Sequence, residues 1–379
     1  MVSAYCLDYH NWVCIPRHAH EDFLEMADMG YDTVCLSFSE SEMTYARKTF
    51  EILVDLAHAC GLKVHVIPSR IAGRFAGAPL MPSKWLAQHP EFAVAVDTWM
   101  PVGCVEAPET REFVKSFMTT LIGDYPIDGI VWDEPKCPTQ ISHHPATRKR
   151  FGDDPTEEDM AMGFCEFFRE ITDHCHALAP HLTQTLFTMK NEHPFFTSQI
   201  AKTPHIDYFG YDGNLSRQRK VFRGEVKEEK YRIETVWDRT LSECAAAGKK
   251  TFALIETMHM PTSELSSFER NFEEYLHTYT PDHLSVYYYG HNASVKRARR
   301  GLSISRTPTT RPSLCKGRTI SERESASQAI CPAKACTSST RCVWSVTNAV
   351  PHTPRPGAML TQAGLPTNGP RTSKPSSSR

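Results

Sequence analysis

The 379-residue sequence has no run of 18 apolar residues, so it offers no transmembrane helix and no membrane partner is expected. It has no GxGxxG loop and no P-loop, which argues against dinucleotide and nucleotide phosphate binding. No HExxH occurs, and none of the 13 cysteines forms a CxxC pair. Scattered thiols of that kind read as free and buried in a reducing compartment, not as a zinc site or disulfide framework. The opening residues, Met1-Val2-Ser3-Ala4-Tyr5, lack the basic and apolar regions of a secretory signal, so a cytoplasmic protein is expected. The 42 Lys and Arg nearly balance 44 Asp and Glu, which speaks against a general nucleic-acid binder.

Apolar content also runs out along the chain. Residues 301–379 contain no Phe, Tyr or Asp, and their only aromatic is Trp344. They carry 24 Ser or Thr and a net charge of +9, whereas the first 300 residues carry −11. Such a segment cannot bury enough apolar surface to offset chain entropy. Residues 293–379 therefore read as a basic Ser/Thr/Pro/Arg-rich tail, disordered or the product of out-of-frame translation. It follows a single domain of residues 1–292.

Within that domain, short apolar runs alternate with stretches of helical periodicity. The runs are Ser3–Tyr9, Asp32–Ser39, Leu62–Pro68, Ile127–Asp133, Leu182–Met189, Ile206–Tyr211, Thr251–Glu256 and Leu284–Tyr289. Near-continuous apolar strands such as Thr33-Val34-Cys35-Leu36-Ser37-Phe38 suit a sheet covered on both faces. Helices are predicted over 18–29, 43–60, 109–123, 157–178, 194–202, 227–247 and 263–279, several stopping at a Gly such as Gly61 or Gly248. Eight β and seven α units predict an α/β fold, a (β/α)8 TIM barrel. A doubly wound sheet is the runner-up, but it would more often carry a Gly-rich loop after its first strand. The eighth helix is expected at 294–310, where the composition collapses.

A barrel of this kind binds at the C-terminal ends of its strands, so the polar residues there are the candidates. The carboxylates Asp133, Glu134 and Glu256 end apolar strands four and seven, in Asp128-Gly129-Ile130-Val131-Trp132-Asp133-Glu134-Pro135 and Thr251-Phe252-Ala253-Leu254-Ile255-Glu256. Those strands face each other across the mouth, so the carboxyls can flank one bond. Glycoside hydrolysis needs that arrangement: one acid protonates the leaving oxygen while a carboxylate works from the opposite face. A substrate-binding set of Asp8, His10, Trp12, Arg70, Trp99, Tyr211, Asp212, His259, Tyr289, His291 and Asn292 supplies aromatic faces and hydroxyl partners suited to a sugar. Trp85 and Trp132 are further aromatic candidates, and Glu40 ends strand two.

Over residues 1–292 the sequence resembles the retaining glycoside hydrolases built on (β/α)8 barrels, mainly in architecture. The resemblance implies that Glu134 is the acid/base and Glu256 the nucleophile, with a carbohydrate substrate and no cofactor or metal. In that clan an Asn usually precedes the acid/base, whereas Asp133 stands there in this chain. The aspartate can raise the pKa of Glu134 or be the catalytic group itself. Two other readings compete. Glu134, Glu256, His259 and His291 could hold a divalent metal in a barrel isomerase or hydrolase. Alternatively the barrel binds carbohydrate without catalysis, its strand-end carboxylates being spent on ion pairs with Arg70 or Lys136.

Overall fold

Strands that are apolar on both faces must be covered on both, and a closed parallel barrel inside a ring of helices does this. The computed structural model describes residues 1–6, 14–78, 80–94, 100–136, 141–189, 193–216, 218–222, 225–229, 233–257, 260–287 and 289. The barrel is built from β1 (Val2–Cys6), β2 (Thr33–Ser39), β3 (Lys63–Ser69), β4 (Gly129–Asp133), β5 (Thr183–Thr188) and β6 (Tyr208–Gly213). A hairpin of β7 (Gln218–Phe222) and β8 (Glu225–Glu229) interrupts the succession, and β9 (Lys250–Glu256) and β10 (His283–Tyr287) are the seventh and eighth barrel strands. Neighbouring barrel strands are all parallel, and β10 closes on β1 through Val2↔Leu284, Ser3↔Ser285 and Ala4↔Val286. Each of the eight apolar runs of the sequence supplies one barrel strand within the described residues.

Helices Pro16–Asp28, Arg47–Ala59, Pro108–Asp124, Glu157–Leu178, Pro194–Ile200, Trp237–Ala247 and Leu265–Thr278 follow the strands. Gly248 takes φ +67 at the end of Trp237–Ala247, a left-handed stop that lets β9 start two residues later. The helix expected over 43–60 is broken at Ala46 into Glu40–Tyr45 and Arg47–Ala59, and the start of the one expected over 227–247 also differs. Residues 225–229 form β8 instead of opening a helix, because pairing with β7 (Val221↔Val226, Arg219↔Glu228) outweighs the helix propensity of the Lys/Glu run. The tail at 293–379 and the expected eighth helix lie outside the described residues. No described helix is long and apolar enough to cross a membrane.

Alternation along the strands sorts side chains into two layers. Val34, Leu36, Val64, Val66, Ile130, Trp132, Leu186, Phe209 and Ile255 face out and pack against the helices. Trp132 alone meets Phe75 at 5.0 Å and Phe168 at 5.3 Å between ring centroids. Tyr5, Cys35, Ile67, Val131, Phe187, Phe252 and Leu254 face in and fill the barrel. Beneath them the floor is polar. His283 Nε2 lies 2.9 Å from Ser3 Oγ, Ser3 Oγ donates to Ser285 Oγ at 2.9 Å, and the His65 ring stands 6.3 Å from that of His283. Burial pushes the His65 imidazole down to about 4 and holds His283 well below the usual histidine range. Both rings are therefore neutral parts of the packing. Seven described cysteines (Cys14, Cys35, Cys60, Cys104, Cys165, Cys175 and Cys244) are free thiols.

Candidate active site

The inward row continues upward to the mouth, and its last members are polar. Asp133 is paired with inward Phe187, so it too faces in. Asp212 is paired with inward Leu254, and Glu256 is paired with Tyr287, whose ring meets that of inward Tyr5 at 5.2 Å. Three carboxylates from β4, β6 and β9 thus end on the inner wall of one mouth. Asp133 and Glu256 are both buried, at 2% and 5% exposure. The main chain pins the end of β9 to β10, with Thr257 N–H donating to the Tyr287 carbonyl at 2.6 Å.

The first long connection, after β3, folds back into the mouth beside Asp133. Ala76 N–H donates to the Asp133 carbonyl at 2.8 Å, and Arg70 Nε donates to the Gly77 carbonyl at 3.0 Å. Gly77 makes the turn possible: its φ is +104, and a Cβ there would lie 2.7 Å from Ser69 Oγ. Buried Arg74 ties three segments together. Its Nε donates to the Gly103 carbonyl at 2.5 Å and its Nη1 to the Lys136 carbonyl at 2.9 Å, while Lys136 N–H donates back to the Arg74 carbonyl. Glu40 serves this scaffold. It accepts from Ala72 N–H, Trp85 N–H and Ser83 Oγ, and burial raises its pKa.

Asp133 and Glu134 sit in different surroundings although they are adjacent. Burial, and then the charge of Glu134, push the Asp133 carboxyl up to about 7, with Lys136 and Arg70 pulling the other way. Its Oδ2 is buried and has no hydrogen-bond partner among the described residues. Glu134 is in the left-handed region at φ +37, and its Oε2 accepts from Lys136 Nζ at 2.8 Å. Strand alternation would turn Glu134 outward, and the left-handed turn instead leaves it paired to Lys136 at the rim.

Two members of the sugar-binding set point elsewhere. Tyr211 lies between inward Gly210 and Asp212, so it faces the helices, where its hydroxyl donates to Glu243 and Arg239 lies 5.1 Å over its ring. Tyr289 follows the end of β10 and turns out to donate to Glu25 Oε2 at 2.5 Å. Trp132 packs in the outer layer, and Trp85 stacks on Phe113 at 4.6 Å and Phe92 at 5.4 Å. Arg70 and Asp212 remain at the mouth. Asp8, His10, Trp12, Trp99, His259, His291 and Asn292 lie outside the described residues. The structure adds members that the sequence reading passed over. Ser37 Oγ, Ser69 Oγ and both amide atoms of Asn214 are buried without a hydrogen-bond partner among the described residues. Ser37 and Ser69 belong to the inward row, through Ser37↔Ile67 and Ser39↔Ser69.

A closed eight-stranded parallel barrel ringed by helices is the (β/α)8 fold, and this chain shares that fold with solved glycoside hydrolases. Solved structures with this fold include two β-galactosidases. The enzyme of the psychrophile Marinomonas ef1 is 10% identical with a TM-score of 0.54, and that of the Antarctic haloarchaeon Halorubrum lacusprofundi is 11% identical with a TM-score of 0.56. Each match covers 80% of this chain, which spans 58% and 57% of those enzymes. The β-glycosidase BGL167 is 11% identical with a TM-score of 0.50, over 78% of this chain and 88% of its own. No family model and no curated protein matches the chain.

Proposed function

We propose that the barrel hydrolyses O-glycosidic bonds, with Glu256 acting from β9 and a proton donor acting from the end of β4. One observation carries the reading: buried carboxyls on the fourth and seventh barrel strands, Asp133 and Glu256, both face the inside of the mouth. A bond lying across the mouth then has an acid on one side and a carboxylate on the other, the requirement for leaving-group protonation and attack at the anomeric carbon. Ser37, Ser69 and Asp212, all on the inward row, supply further polar atoms suited to sugar hydroxyls. The family resemblance assigns the donor role to Glu134.

The test is hydrolysis of a panel of aryl glycosides and oligosaccharides by the purified chain, with and without EDTA. Turnover that survives chelation and is abolished in Glu256→Gln is expected. Loss of turnover on chelation would favour the divalent-metal reading. Sugar binding without turnover would favour a carbohydrate-binding barrel.

A further inference from the structure

A proton donor must be neutral when substrate arrives and must present its proton inside the mouth, whereas a nucleophile must be ionised. Two adjacent carboxyls at the end of β4 compete for the donor role, and their surroundings separate them. Asp133 continues the inward row of Val131 at the end of β4, 2% exposed, with Oδ2 unpartnered among the described residues. Glu134 lies just past the end of β4 on a left-handed backbone, and its Oε2 accepts from Lys136 Nζ at 2.8 Å. Protonating Glu134 would sacrifice that charge-assisted bond, and its carboxylate charge beside Asp133 resists a second negative charge there.

We propose that Asp133, not Glu134, delivers the proton to the glycosidic oxygen, and that Glu134, held by Lys136, is a positioning residue beside it. The inference rests on the glycosidase reading of this mouth. In the first step the Asp133 Oδ2–H bond breaks and the proton passes to the bridging oxygen. The C1–O bond breaks with its electron pair going to that oxygen, which leaves as an alcohol, while a Glu256 oxygen bonds to C1. In the second step the Asp133 carboxylate takes a proton from water, the water oxygen bonds to C1, and the Glu256 carboxylate departs with its electron pair. The pKa of about 7 at Asp133 fits a group that both gives and regains a proton near neutrality.

The test compares Asp133→Asn, Glu134→Gln and Lys136→Met across pH, each checked for fold by circular dichroism. Asp133→Asn should lose roughly 10²–10⁴-fold on glycosides with poor leaving groups, keep the first step on dinitrophenyl glycosides, and regain turnover with azide. Glu134→Gln should shift the basic limb of kcat/KM to lower pH, because the charge that raises Asp133 is gone. Lys136→Met should shift the same limb to higher pH. A leaving-group dependence in Glu134→Gln that is missing in Asp133→Asn overturns the proposal, while a dead Glu256→Gln leaves the parent reading standing. Should Asp133→Asn fail to fold, the opposite limb shifts decide. Should no glycoside be turned over, the parent reading fails, and carboxyl carbon NMR of the full chain still reads Asp133. A titration near 7 upholds its neutral state, and an ionised carboxyl at about pH 6 overturns the proposal.

Discussion

Replacing His65 on the barrel floor should flatten the acid sensitivity of the fold, and replacing Asp133 at the mouth should steepen it. His65 falls from an ordinary 6.5 to about 4 through burial, and His283 falls further. Between about pH 6.5 and 4 both rings are neutral in the folded chain and protonated in the unfolded one. Their contribution is thus complete above 6.5 and is lost as pH falls. One pKa unit is worth about 1.4 kcal/mol, so His65 alone removes about 3 kcal/mol over this window. Asp133 has the opposite sign. Its pKa rises from 3.8 to about 7, so in the same window the fold holds a proton that the unfolded chain has released. Two protons taken up on unfolding against one given off leave a slope from these groups of about 1.4 kcal/mol per pH unit. His65→Leu should bring that contribution near zero, and Asp133→Asn should double it to about 2.7 kcal/mol per unit. Urea unfolding followed by tryptophan fluorescence at several pH values measures the slopes, and the background of other carboxylates cancels between variants. A His65→Leu slope equal to that of the wild type would mean that the floor imidazole is protonated in the fold, refuting the burial argument. An unchanged slope in Asp133→Asn would refute the neutral carboxyl without reference to any substrate.

Gly77→Ala should lose about 1–3 kcal/mol, since φ +104 and a Cβ 2.7 Å from Ser69 Oγ leave alanine no relaxed position; thermal unfolding and kcat should fall together because Arg70 leans on this turn. Arg74→Met should lose about 2–3 kcal/mol by orphaning the buried carbonyls of Gly103 and Lys136, and a loss under about 0.5 kcal/mol by urea titration would show that those segments hold without it. Tyr211→Phe should cost about 1 kcal/mol of stability through its lost bond to Glu243 and leave kcat/KM unchanged. A Tyr211→Phe variant with raised KM would return that ring to the sugar site.

The barrel was legible because closure buries both faces of every strand, so Thr33–Ser39 and Lys250–Glu256 stand out as apolar blocks between amphipathic helices. The same double burial hides orientation. With no polar–apolar alternation along a strand, sequence alone cannot say whether Tyr211 or Asp212 faces the mouth, and only the register with Leu254 decides it. Ser37 illustrates the signal that was available. A serine set between Leu36 and Phe38, which both face the helices, is better placed on the inward row, where water or a substrate can meet it. The hairpin at 218–229 was not legible, because its pairing depends on a partner strand and not on its own charged composition.

The end of β4 shows how far one rule of strand geometry carries. Adjacent residues on an extended strand point to opposite sides, so a sequence offering both Asp133 and Glu134 cannot place both in the barrel without leaving the strand conformation. The inward position of Val131 fixes Asp133 inside, and Glu134 leaves the strand through φ +37, a left-handed conformation that costs a non-glycine residue about 1 kcal/mol. That turn holds Glu134 at hydrogen-bond distance from Lys136, whose own backbone is fixed by Arg74. A charged pair at the rim and a shielded acid below it therefore follow from one departure in the backbone. Glu134→Gly should relieve the strain, yet it also removes the bond to Lys136 and the charge beside Asp133, so the basic limb of the pH profile should shift as in Glu134→Gln. A limb that stays in place when both the strain and the charge are gone would mean that burial alone sets the proton affinity of Asp133.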